Sequence, residues 1–255
     1  MGWETLLPAA LGGAIVGLLL TLFGGGGSVL ATPWLIYVVG VADTHLAIGT
    51  SAAAVALNGA TGLAAQARAG RVKWPCATVF ALSGLAGALA GAQAAKQIDG
   101  QSLLAWFAVA MIAIAVSMLL PRRSEGDPGV HLTPGMVLRL APVGLVTGLA
   151  AGFFGIGGGF LIAPGLMAAT GMTLANAGAS SLVSVTLFGS ATSASYAASG
   201  LVSWPLFGAL ASGGAIGTLA AMPLSRRLAK QPRAARSLFA VMVIAVALYI
   251  LVVGR

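Results

Sequence analysis

Two short stretches offer hydrogen-bond donors where the surrounding chain offers almost none. One is Gly24-Gly25-Gly26-Gly27-Ser28, and the other is Gly155-Ile156-Gly157-Gly158-Gly159-Phe160. Glycine reaches tight and left-handed backbone conformations without steric cost. A chain that turns at such glycines and re-enters a helix presents free N–H groups and about half a positive charge. Two such ends facing one cavity would bind an anion without lysine or arginine. Pro33 and Pro164 follow the two clusters and can start or kink the helix beyond each. Further donors lie downstream: Thr50, Ser51 and Asn58 in "IGTSAAAVALNG", and Ser180, Ser181, Ser184 and Thr186 in "GASSLVSVTLFG". Hydroxyls and amides donate to oxyanion oxygens. Their competing use is helix-to-helix hydrogen bonding, worth about 0.6 kcal/mol within a membrane.

The candidate substrate-binding residues are therefore Gly24, Gly25, Gly26, Gly27, Ser28, Gly155, Gly157, Gly158, Gly159, Phe160, Thr50, Ser51, Ser180, Ser181 and Asn58. Other chemistries find little apparatus. The five acidic residues, Glu4, Asp43, Asp99, Glu125 and Asp127, fall in expected loops or ends. No expected span interior carries a charged side chain, so neither a carboxylate proton relay nor a divalent-cation site has candidates. No metal, no cofactor and no catalytic residue is expected. The glycines follow no strand and precede no Lys-Ser/Thr, which argues against a nucleotide-binding loop. Cys76 is the single cysteine and reads as a packing residue. His45 opens a segment and is expected to cap it or to titrate at a gate.

Only 7% of the 255 residues are charged, against about 25% in soluble domains. Apolar runs recur along the whole length, the mark of an all-α polytopic membrane protein embedded in a lipid bilayer. The opening Met1-Gly2-Trp3-Glu4 has no basic stretch, so no removed leader is expected. The net charge of +8 reads as topology, not as nucleic-acid binding.

The chain is duplicated. A shift of 131 positions lays Phe23, Gly24, Gly26, Gly27 and Pro33 on Phe154, Gly155, Gly157, Gly158 and Pro164. After a one-residue gap the shift of 130 lays Ser51, Gly59, Gly70 and Trp74-Pro75 on Ser181, Gly189, Gly200 and Trp204-Pro205. Residues 1–121 form repeat 1, 122–133 a linker within the polar stretch Pro121 to Pro134, and 134–255 repeat 2. Each repeat offers a hairpin, residues 6–40 or 136–170. Three helices follow each: 45–66, 74–95 and 102–120, or 175–198, 204–224 and 237–253. The second hairpin arm Ser28–Gly40 would reach only about 20 Å as a helix, short of a core about 30 Å thick.

Charge chooses between turning back at the glycines and crossing straight through. In the hairpin arrangement one side collects Arg68, Arg71, Lys73, Arg122, Arg123, Arg139, Arg226, Arg227, Lys230, Arg233 and Arg236, leaving Lys96 and Arg255 opposite. The positive-inside rule then places the basic loops and linker in the cytoplasm and both termini outside. Straight crossings divide the charges almost evenly. Five arms per repeat also return the chain to the opposite side, so the two repeats are inverted in the membrane. Inverted repeats with short, glycine-interrupted segments point to a secondary transporter with its site at the midplane. Gly84, Gly87, Gly91, Gly214 and Gly217 read as helix-packing glycines.

At these residues the sequence resembles the TauE/SafE sulfite exporters, also called 4-toluene sulfonate uptake permeases. The likeness rests on Gly155-Ile156-Gly157-Gly158-Gly159 with Pro164 and on its variant Gly24-Gly25-Gly26-Gly27-Ser28 with Pro33. It also rests on Ile48-Gly49-Thr50-Ser51, which departs in the second copy to Ala179-Ser180-Ser181. Gly70-Arg71-Val72-Lys73-Trp74 and Gly200-Leu201-Val202-Ser203-Trp204 complete it. The resemblance implies transport of sulfur-containing anions such as sulfite, thiosulfate or sulfoacetate across an inner membrane. The expectation is a permease whose small anionic substrate binds at the midplane between the two tips. A carboxylate or neutral-metabolite permease and a non-transporting membrane scaffold are the alternatives. The pattern sets no oligomeric state.

Overall fold

The computed structural model describes residues 2–119, 126–155, 159–228 and 232–253. Repeat 1 supplies α1 (Trp3–Phe23), a 3₁₀ segment (Gly24–Leu30), α2 (Ala31–Tyr37), α3 (Thr44–Arg68), α4 (Trp74–Ala95) and α5 (Gly100–Leu119). Repeat 2 supplies α6 (Pro134–Phe154), α7 (Gly159–Thr170), α8 (Leu174–Ala197), α9 (Trp204–Leu228) and α10 (Pro232–Val253). Six stretches among the described residues are long and apolar enough to cross a membrane. They lie at Trp3–Tyr37, Thr44–Arg68, Trp74–Ala95, Pro134–Phe154, Leu174–Ala197 and Trp204–Ala221. This is the all-helical, multi-pass architecture that the composition demands.

Local signals set the helix starts. The Asp43 carboxylate accepts the amides of His45 and Leu46 at 2.8 and 3.2 Å, and the Thr173 hydroxyl accepts that of Asn176 at 3.3 Å. Side-chain oxygens of this kind satisfy amides that have no partner within the helix. His45 is therefore not the cap of α3. Its Nε2 instead lies 3.1 Å from the Ile98 carbonyl. Asp99 accepts the Ser102 amide at 2.8 Å at the start of α5. Beyond the undescribed part of the linker, the Asp127 amide donates to the Gly171 carbonyl at 2.9 Å.

Glycine decides how the helices pair. A Cβ at Gly13 or Gly17 of α1 would overlap the backbone of Leu210 or Gly214 of α9, and one at Gly213 or Gly217 would overlap that of Ala10 or Ala14. Residue numbers rise together, so α1 and α9 run parallel. α4 and α6 do the same: Gly87 meets the Leu145 carbonyl, Gly91 that of Leu149, and Gly152 that of Ala88. Without a hydrophobic drive between helices in lipid, such backbone approach supplies the attraction. Gly84, Gly87, Gly91, Gly214 and Gly217 all lie at contacts of this kind.

α3 and α8 instead run antiparallel through the centre. A Cβ on Gly62 would sit 3.5 Å from Leu182, and one on Gly189 would sit 3.1 Å from Ala52 and Ala56. Exchanging the repeats turns the α1–α9 pair into α6–α4 and the α3–α9 pair into α8–α4. The α3–α8 and α5–α10 pairs map onto themselves. Phe80 and Phe188 lie fully buried in the central core, and Cys76 joins them. Large apolar side chains such as Leu138, Val146, Ile216 and Leu219 face outward.

Two tests follow from this packing. Gly217→Leu should destabilise the detergent-solubilised protein by about 1–3 kcal/mol through overpacking against Ala14. Gly208→Ala, on the same helix but with open space around it, should leave the melting temperature unchanged or raise it. In the second test, the Ser102 amide holds the Asp99 carboxyl below its ordinary value of 3.8. A depressed carboxyl contributes stability above that value and loses it as the pH falls through the lower folded one. Between pH 5 and pH 3, thermal stability should therefore fall more steeply in the wild type than in Asp99→Asn.

Candidate functional site

The first glycine cluster ends α1 at Gly24, with φ 68° and ψ −147°, a region essentially closed to other residues. A Cβ there would also overlap the backbone of Gly178 on α8. The chain then continues as a seven-residue 3₁₀ helix, with Gly24, Gly25, Gly26, Gly27 and Ser28 all buried. The expected tight turn is thus an ordered helix, one of whose amides finds its acceptor on another helix. The Gly25 amide donates to Ser181 Oγ at 3.0 Å, and Ser181 donates on to the Gly178 carbonyl at 2.8 Å. Ser28 Oγ donates to the Gly25 carbonyl at 2.9 Å. At the second residue of α2, Thr32 Oγ1 lies 2.7 Å from Ser51 Oγ, and Ser51 donates to the Ile48 carbonyl at 3.0 Å. The segment and the start of α2 therefore run between Ser181 of α8 and Ser51 of α3, the two serines that the repeat makes equivalent.

The second cluster ends α6 at Gly155, with φ 65° and ψ 17°, where a Cβ would overlap Ile48 of α3. Gly24 on Gly178 and Gly155 on Ile48 are equivalent contacts, so each tip rests on the central helix of the other repeat. Gly157 and Gly158 lie outside the described residues. Gly159 opens α7, and Phe160 follows.

These contacts correct one expectation. The tips do not meet at a common depth. Ile48 lies fourteen residues before Gly62, which packs beside Leu182, and Gly178 lies four residues before Leu182. At 1.5 Å per residue the tips stand about 27 Å apart along the α3–α8 pair. The reason is length. α1 has 21 residues and reaches about 31 Å, close to the full hydrocarbon thickness. The short second arm is extended by the 3₁₀ segment, which rises about 2 Å per residue.

The remaining candidates are spread over both repeats. Thr50 Oγ1 accepts the Ser203 amide at 2.9 Å, and Ser180 Oγ accepts the Lys73 amide at 2.9 Å. Lys73 immediately precedes α4, and Ser203 immediately precedes α9. The Gly-Thr-Ser element and the Gly-x-Val-x-Trp element are thus two sides of one contact, made once by each repeat upon the other. Asn58 is buried on Gly214, with Nδ2 3.5 Å from the Leu210 carbonyl and Oδ1 without a hydrogen-bond partner. Thr32, Thr192 and Tyr196 are further buried hydroxyl residues on these helices. The signal for Thr192 and Tyr196 was their four-residue spacing from Phe188 on a serine-rich helix. Among the described residues, no three His, Cys, Asp or Glu side chains come together as metal ligands.

The model of the sulfite exporter TauE/SafE family matches residues 9–250. The chain belongs to this family. A "Probable membrane transporter protein" of Xylella fastidiosa is 43% identical over 249 residues, 97% of this chain and 95% of its own. The Bacillus subtilis "Probable membrane transporter protein YunE" is 28% identical, over 61% of this chain and 64% of its own. A relative of the same description from Methanocaldococcus jannaschii is 31% identical, over 60% and 58%. No solved structure matches the chain significantly. Family and relatives together support a membrane transporter.

Ser180→Ala removes the acceptor that holds the start of α4. It should lower stability by about 1 kcal/mol, the net worth of such a bond. Thr50→Ser, which keeps its hydroxyl, should melt like the wild type, and Thr50→Val should not. Thermal unfolding in detergent reads all three.

Proposed function

We propose that this chain is a secondary transporter of a small anion, sulfite or another sulfur oxyanion or organosulfonate, in a bacterial-type inner membrane. The anion binds beside the Gly24–Leu30 segment, where the chain passes from α8 towards α3. The observation that carries this reading is the buried 3₁₀ segment, bonded to Ser181 near its start and followed by Thr32 of α2, which bonds Ser51. Runs of 3₁₀ helix this long are uncommon and mark hinges. Ser28, Thr32, Ser51 and Ser181 surround it with rotatable hydroxyls, all buried and uncharged. The family's description as sulfite exporters supports the substrate class.

In this reading the two repeats have inverted topologies, and one moves against the other to alternate access. The helix directions support it, because α4 parallel to α6, α1 parallel to α9 and α3 antiparallel to α8 give equivalent elements opposite senses. The ends of α3 and α9 and the starts of α4 and α6 then share one side, which carries Arg68, Arg71, Lys73 and Arg139. The excess of positive charge assigns that side to the cytoplasm and both termini to the outside.

Flux into proteoliposomes tests the proposal, with sulfite, thiosulfate, sulfoacetate, sulfate, acetate and chloride compared. Saturable flux of a sulfur anion is expected, with apparent affinity reduced about tenfold by Ser181→Ala, the loss of roughly one charge-assisted hydrogen bond. Transport of acetate in preference to every sulfur anion would replace the substrate class. No flux from well-folded protein would sink the transporter reading.

A further inference from the structure

One face of α8 is polar without structural need. Ser184, Phe188, Thr192, Ser195 and Tyr196 all lie within about 60° of Ser181 around the helix. Hydroxyls on a helix usually donate back to a carbonyl three or four residues earlier, as Ser181 and Thr186 do here. Ser184 Oγ, Thr192 Oγ1, Ser195 Oγ and the Tyr196 phenol make no hydrogen bond, although all four atoms are buried. Ser184, Thr192 and Tyr196 have no exposed surface at all. Unpaired buried hydroxyls cost stability.

Packing does not require them. The repeat lays Ser184, Thr192 and Ser195 on Ala54, Gly62 and Ala65 of α3, so none of the three equivalent positions carries a hydroxyl. The row begins at the 3₁₀ segment, where Ser181 holds Gly25, and runs about 21 Å along α8 to Ser195. A cation waits at the far end. Lys96 Nζ donates to the Ser195 carbonyl at 2.8 Å and to Ser199 Oγ at 3.0 Å, and sits 5.4 Å over the Tyr196 ring. His45 stacks on the same ring at 6.2 Å. Its Nε2 faces a carbonyl and must donate to it, which leaves a buried Nδ1 without a partner.

We propose that this face of α8 is a pathway for a small oxyanion, leading from the site beside the 3₁₀ segment to the Lys96 end. The hydroxyls take up oxyanion oxygens or their hydrating water when the path opens, and Lys96 selects the sign of charge at its mouth. The path rests on the transport reading above, but its test needs no knowledge of the substrate.

The test is thiol accessibility in full-length protein. The sole cysteine is first removed by Cys76→Ala, and Ser184, Thr192 or Leu182 is then changed singly to cysteine. Leu182 is equally buried but lies about 100° from Ser181 around the helix, against Gly62 of α3. Anionic and cationic membrane-impermeant methanethiosulfonates are applied to intact cells and to inverted vesicles. Thr192→Cys and Ser184→Cys should react from one side only, faster than Leu182→Cys. The anionic reagent should lead by about tenfold, and Lys96→Gln should abolish that lead while Lys96→Arg keeps it. Labelling no faster than at Leu182, or without charge preference, overturns the pathway even if sulfur-anion flux is found. One-sided, charge-selective labelling in protein that moves no sulfur anion upholds the path and discards the substrate class.

Discussion

Backbone amides within a membrane must find partners inside the protein, and this constraint governs the molecule. Water is not there to take them, so a chain that leaves regular helix at depth has to supply acceptors of its own. Here Ser181 of a central helix takes the amide of Gly25, and at the two ends of the bundle Ser180 takes that of Lys73 and Thr50 that of Ser203. Each of these bonds crosses from one repeat to the other, so irregular backbone of each half is held by the central helix of its partner.

Close packing serves the same end. The parallel pairs α1–α9 and α4–α6 approach until backbone touches backbone, through glycines whose Cβ atoms would not fit. Both pairs join opposite repeats. The bundle is thus stitched across its pseudo-symmetry by glycine contacts at its flanks and by hydroxyl–amide bonds to its central helices. The 3₁₀ segment lies between them, bonded near its start to Ser181 and leading into α2, where Thr32 bonds Ser51.

Much of this was legible in the sequence because it was periodic or duplicated. The helical character of the chain was legible because Trp-Pro pairs, glycines and apolar runs punctuate it strongly. The importance of Thr50, Ser51, Ser180 and Ser181 was visible in their repetition. What they hold was not, because a hydroxyl that binds an anion and one that accepts a neighbouring amide look alike in sequence. The expected convergence of the two tips failed for a similar reason. Segment length read the second arm as too short to cross, but a 3₁₀ stretch covers more distance per residue than an α-helix.

The sequence by itself determined that this chain is a membrane protein of duplicated helices with nearly charge-free spans, because hydropathy, charge placement and ordered glycine matches are local properties that survive without coordinates. It also pointed to the family, whose motifs are contiguous. The tertiary structure decided which motif touches which, how far apart the tips stand, and which buried hydroxyls lack partners. Those outcomes depend on pairings more than a hundred residues apart, such as Gly25 with Ser181 and Lys73 with Ser180. Such pairings are set by the packing of whole helices, and a linear pattern carries no record of them.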